Sequence, residues 1–299
     1  MYNYKLVYVT ILCLALLSLF SLGCDKDKSP TNPEPEPEKP WTSTDVVYTP
    51  ANFEDGPQGA TIFLPKNKNG VGIILAHGTT GTKWDVRVWA DTLAKRGYVV
   101  MTIDYLDFNE GARYPQPVPS FKIAVEYLRR NAAQYGITTG KIVGFGQQSG
   151  ASTWAVSITW DNDDNFFHTD PTISDKLDAA ILLYGIYDPV NFMSGGVNNN
   201  FTTYYSTNPD ARATKGNPIA NVSNIDTPVL LLHGTESIYS LPEQSIQFND
   251  SLVAHGKSSH LILFPGETDF FDYGLNGSLT PAGLVAKDSV LAYLERTLF

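Results

Sequence analysis

Three short passages combine residue types and spacings that could do chemistry. The first is Gly146-Gln147-Gln148-Ser149-Gly150, set between an apolar run at 141–145 and a helical pattern at 151–159. Two glycines four apart let a strand and the following helix approach closely. A serine midway between them, in G-x-S-x-G, would be the nucleophile of an acyl transfer. Such a serine needs a histidine to accept its proton and an acid to orient that histidine. The midpoint here is Gln148. A carboxamide has no proton to lose at neutral pH and cannot form an acyl-enzyme. The second passage is His233-Gly234-Thr235-Glu236-Ser237 and the third is Pro265-Gly266-Glu267-Thr268-Asp269, each following an apolar run.

The elements that must position these passages follow from the alternation of the chain. From residue 41 onward, short apolar strand-like runs alternate with amphipathic helical stretches, which predicts a mostly parallel sheet with helices on both faces. Strands are predicted at 60–64, 71–76, 98–103, 141–145, 179–183, 228–232 and 260–264. Helices are predicted at 85–96, 120–135, 151–159, 242–255 and 281–298. In the second helix Ile123, Ala124, Tyr127, Leu128 and Ala132 follow the 3.6-residue period. Segments 161–175 and 197–218, rich in Asn, Asp and Thr, read as excursions over the C-terminal edge of the sheet, where open α/β sheets bind ligands.

Composition narrows the partners. The 299 residues are 42% hydrophobic and 12% aromatic, which supports a filled core. A net charge of −10 with no basic cluster argues against nucleic acid. The two cysteines, Cys13 and Cys24, both precede the domain, which therefore has no thiol nucleophile and no cysteine metal site. No histidine spacing suited to a metal appears. Asp161-Asn162-Asp163-Asp164 could offer oxygen ligands to calcium, although a solvated acidic loop is the simpler account. No cofactor motif is present.

Lys5 is the only charge before Cys24, and residues 6–22 form an almost unbroken apolar run ending Ser21-Leu22-Gly23-Cys24. That run has the length of a signal-peptide core. The small residue before cysteine resembles the lipobox of bacterial lipoproteins, which implies a cleaved signal peptide (1–23) and a lipid on Cys24. Leu22 lies one place nearer the cysteine than that pattern prefers. An uncleaved anchor is the alternative, and either way the domain is expected outside the cytoplasm. Residues 24–40 then form a Pro/Glu-rich spacer. Its 16 residues after Cys24 could reach roughly 50 Å if extended.

Taken together, strand-HGTTG (77–81), RYPQPV and AVEYLRRNAAQYGI (within 113–137), KIVGFGQQSGAS (141–152), TPVLLLHGTES (227–237) and LILFPGETDFF (261–271) resemble the α/β-hydrolase superfamily. The closest likeness is to secreted esterases of the dienelactone-hydrolase and feruloyl/acetyl-xylan-esterase type. The resemblance implies a single doubly wound domain over 41–299. It also implies that the nucleophile, acid and base positions are Gln148, Ser237 and Asp269, all three substituted. It makes the backbone N–H groups of Thr79 and Ser149 an anion-binding pair, with Gln148 and Asp269 adding polar groups. Tyr105, Trp84, Tyr239 and Phe270 are candidate walls of a retained pocket.

A shifted site would have to use Ser149, with Glu236 or Asp188 as acid. The base is the obstacle. Among the five histidines, His77 and His233 sit in turns after strands, His255 suits a helix C-cap, and His260 opens a strand at the far end of the sheet. Only His168, in an excursion, could fold over the pocket. The leading expectation is a lipid-anchored, catalytically degenerate hydrolase that binds a polar small molecule or sugar ester. The alternatives are an active carboxylic ester hydrolase rearranged around Ser149 and a structural subunit.

Overall fold

The strands with the purest apolar sequences form the middle of the sheet. Gly72–Ala76 (β3), Val99–Ile103 (β4), Ile142–Gln147 (β5), Ala179–Leu183 (β6) and Val229–Gly234 (β7) are buried at every position. Strands covered by helices on both faces have no polar side to alternate with, so they read as unbroken hydrophobic runs. The computed structural model describes residues 39–107, 110–160, 170, 172–194, 215–274 and 277–299. The expected signal peptide (1–23), Cys24, most of the expected spacer, His168 and residues 161–164 lie outside these residues.

Eight strands pair in the order β1-β2-β4-β3-β5-β6-β7-β8, with Trp41–Val47 as β1, Gly59–Pro65 as β2 and Ser259–Phe264 as β8. β2 runs antiparallel to both neighbours, and the remaining strands are parallel. The chain moves from β3 outward to β4 and then returns across β3 to β5. The strand order therefore reverses between β3 and β5, which is where ligands bind in open α/β sheets.

Alternate residues of each strand feed two separate cores. Ile74 and Ala76 join the layer holding Phe121 and Ile123 of Pro117–Arg130 (α2), Trp154 of Ser149–Ile158 (α4) and Phe248 of Glu243–Ala254 (α6). Ile73 and Leu75 join the opposite layer with Trp89 of Arg87–Ala94 (α1) and Val290 and Leu294 of Pro281–Leu298 (α7). Lys39–Phe299 forms one compact unit. Among the described residues, no helix is long and apolar enough to cross a membrane.

Two expectations need correction. β1 was not anticipated, because its exposed, polar-rich sequence WTSTDVV lacks the apolar run that marks the other strands. The helix expected at 120–135 is instead α2 followed by the short helix Ala132–Tyr135 (α3). It starts earlier because Pro117 and Pro119 fit a first turn, where no N–H is needed. It breaks at Asn131, whose side-chain amide donates to the Tyr127 carbonyl and whose φ of −102° leaves the helical range. Pro189–Ser194 (α5) and the 3₁₀ helix Ile219–Asn224 complete the described elements.

Candidate functional site

The turn between β5 and α4 keeps the shape of a nucleophile elbow. Gln148 has φ 47° and ψ −110°, a conformation side chains rarely adopt and one that costs of order 1–3 kcal/mol. Its flanks must be glycine. A Cβ on Gly146 would lie 2.5 Å from the Ala151 nitrogen, and one on Gly150 would lie 2.5 Å from the His77 carbonyl oxygen. The Gln148 N–H donates to the Leu183 carbonyl, and its own carbonyl accepts from the Ser152 N–H and hydroxyl.

The Gln148 side chain turns toward the loop after β3. Its Oε1 accepts the Thr79 N–H at 3.0 Å. Thr79 N–H is one of the two donors expected to hold an anion, and here the carboxamide oxygen takes it. A Cβ on Gly78 would meet Gln148 Oε1 at 3.1 Å and the Phe270 ring at 3.4 Å, so loop, carboxamide and ring are in contact. Acidic side chains fix the loop from beneath. Asp107 Oδ2 accepts the N–H of Thr80, itself at φ 61°, and Asp104 Oδ1 accepts the Lys83 N–H.

Ser149 is buried. Its Oγ lies 3.0 Å from the Tyr105 hydroxyl, which donates its one proton to the His77 carbonyl at 2.7 Å. Ser149 therefore donates to Tyr105, and among the described residues no imidazole accepts its proton. Burial pushes the Tyr105 phenol well above its ordinary pKa, so it stays protonated. Tyr105, expected as a pocket wall, instead stacks beneath the loop on the His77 ring, with centroids 4.4 Å apart, because its hydroxyl is drawn inward by these two partners. Trp84 and Tyr239 are 49% and 53% exposed.

The loops after β7 and β8 are joined by Asp269. Its Oδ2 accepts the N–H groups of Ile238 and Tyr239 at 2.8 and 3.1 Å. Its Oδ1 is enclosed and has no partner among the described residues, and the same holds for Ser237 Oγ and Thr79 Oγ1. Glu236 is exposed, and its N–H donates to the Glu267 carbonyl. Asp188, the other candidate acid, accepts from the backbone of Val190 and Asn191 and from the side chains of Asn191 and Asn217, which fixes the loop after β6.

The described histidines are spent elsewhere. His77 Nδ1 donates to the Gly78 carbonyl at 2.8 Å. His233 donates from Nε2 to the Ser240 carbonyl and accepts at Nδ1 from the Ser245 hydroxyl, both at 2.7 Å and fully buried. Burial holds the pKa of His77 and of His233 below the usual imidazole value. His255 caps α6 through the Ser251 carbonyl, and His260 is exposed on β8. Among the described residues no cluster of three or more His, Cys, Asp or Glu could hold a metal.

Sequence reasoning missed the group beneath the site. Asp272 is fully buried and accepts at Oδ2 from Trp89 Nε1 (2.6 Å) and Gln147 Nε2 (2.5 Å), and at Oδ1 from the Tyr184 hydroxyl (2.9 Å). Burial, opposed by these donors, raises its pKa. Tyr184 in turn meets Phe270 edge-on at 5.4 Å. One carboxylate thus ties the elbow, α1, the end of β6 and the loop after β8. The available signal was a charged residue inside the aromatic run FFDY.

Comparison with known proteins agrees with this geometry. The BD-FAE family model matches residues 61–252. An isoprenylcysteine alpha-carbonyl methylesterase of Arabidopsis thaliana is 24% identical over 240 residues, 69% of this chain and 52% of the plant protein. The chain thus spans about half the length of that relative. Esterase 2 of Thermogutta terrifontis, solved with propionate bound, superposes with a TM-score of 0.72 at 22% identity, covering 88% of this chain and 97% of that one. A bifunctional GH43-CE protein of Bacteroides eggerthii gives 0.72 at 20% identity, over 86% of this chain and 38% of its own. At these identities the solved structures establish the fold.

Proposed function

The chain belongs to the BD-FAE family of esterase-like α/β-hydrolases, and on that premise we propose that it is an exported, lipid-anchored member that has lost hydrolysis and holds a polar small molecule at the old catalytic site. One observation carries the loss of chemistry. At the nucleophile position stands a carboxamide whose oxygen occupies the Thr79 N–H, the donor an ester carbonyl would need. Ser149, the next residue, gives its proton to a phenol rather than to an imidazole. Removing triad members costs about 10⁴- to 10⁶-fold in rate, and here all three are replaced. Ligand holding is supported by the retained elbow strain at Gln148 and by the enclosed polar atoms of Asp269 and Ser237. The lipid anchor is supported by the apolar run ending in Gly23-Cys24.

The full chain is incubated with p-nitrophenyl acetate and with a fluorophosphonate probe. No turnover and no labelling are expected. Stoichiometric labelling that disappears in Ser149→Ala would overturn the inactive reading in favour of a rearranged ester hydrolase. Gln148→Ser alone is expected to restore little, because the base is still absent. Gln148→Ser, Ser237→Asp and Asp269→His together should give measurable hydrolysis. Fatty-acid labelling that is lost in Cys24→Ser tests the anchor, and an unlabelled wild-type protein would exclude it.

A further inference from the structure

We propose that the ligand presents a positively charged ammonium group to Asp269. This inference rests on the ligand-holding reading above. Where a hydrolase of this fold carries an imidazole, this chain carries a carboxylate that is only 8% exposed. Two backbone N–H groups satisfy Oδ2, and among the described residues nothing donates to Oδ1. Among the described residues no Lys, Arg or His forms an ion pair with it. The hydroxyl of Ser237, 3% exposed and also without a partner, precedes the Ile238 N–H that Asp269 holds. Two unused acceptors thus flank one junction.

The surroundings select the sign of the charge. Asp85, Asp104 and Asp107 bear electrostatically on His77, and Asp269 and Glu243 on His233, with Lys83 offsetting Asp104 at 3.6 Å, so acidic groups prevail among those acting on these two rings. Of the two donors expected to greet an anion, the Thr79 N–H is filled by Gln148. A neutral hydroxyl could meet one acceptor but would leave the enclosed charge uncompensated, which is costly in a dry site.

The test uses the full chain and three sugars of one shape: glucosamine, N-acetylglucosamine and glucose. Only the first carries an ammonium. Calorimetry at low ionic strength should show glucosamine binding at least about tenfold tighter than the other two, as expected for a charge-assisted pair. Asp269→Asn keeps a carbonyl oxygen for the Ile238 and Tyr239 N–H groups and should erase that preference. Equal affinity for all three sugars would overturn the ammonium assignment and leave ligand holding intact. A preference surviving in Asp269→Asn, or no binding of glucosamine, would also overturn it. Serine labelling by the fluorophosphonate would instead remove the ligand-holding reading itself.

Discussion

Replacing Asp272 should separate the loss of an acceptor from the loss of a charge. Asp272→Ala removes the acceptor of three buried donors, on Trp89, Gln147 and Tyr184. A stranded buried donor costs about 1–3 kcal/mol, and relief of the carboxylate's own desolvation returns part of that sum. The net resembles breaking a buried polar pair, about 3–5 kcal/mol. For a domain of this size that corresponds to a fall in Tm of roughly 10 °C. Asp272→Asn behaves differently. Its carbonyl oxygen can still serve Trp89 and Gln147, and its amide can donate to the Tyr184 oxygen, so only the tyrosine proton is left over. The expected cost is about 1 kcal/mol. Urea unfolding followed by tryptophan fluorescence measures both. Because burial raises the folded pKa of Asp272, the stabilisation tied to its protonated form is complete below the unfolded carboxyl pKa of about 3.9. It is lost as pH rises through the folded value, so the advantage of wild type over Asp272→Asn should shrink with rising pH. An Asp272→Ala protein within about 1 kcal/mol of wild type, or an Asn variant as damaged as the Ala one, would refute the donor accounting.

Two further outcomes follow from buried ionisable groups. Lys122 and Asp175 meet at 2.8 Å with almost no exposure. Lys122→Met should cost about 3–5 kcal/mol, while Lys122→Met with Asp175→Leu should cost less than either single change, as a double-mutant cycle in urea would show; additive losses would rule this out. His77 and His233 have folded pKa values lowered by burial, so their contribution to stability is complete above the unfolded value of about 6.5 and is lost as pH falls below it. Urea midpoints measured from pH 7.5 down to 5 should decline, and a flat profile would contradict the neutral, buried state of both rings.

Much of the architecture was legible because it depends on local pattern. Fully apolar runs bounded by glycine mark strands buried on both faces, and β3 to β7 form close to where that pattern put them. The elbow glycines were legible because only a residue without Cβ tolerates backbone at 2.5 Å. Less legible were the edge and the breaks. β1 is held by pairing with β2 and not by its own apolarity, and the helix break depends on where the Asn131 amide turns.

The sequence by itself determined which groups the three passages offer, a carboxamide at Gln148, a hydroxyl at Ser237 and a carboxylate at Asp269, because residue identity alone decides whether a proton can be given or taken. Only the tertiary structure decided what these groups bind. Gln148 fills the Thr79 N–H from 69 residues away, and Asp272 gathers donors 88, 125 and 183 residues distant. Such partners are set by the meeting of loops at one edge of the sheet. No local pattern encodes a hydrogen bond whose ends come together only when the strands have paired.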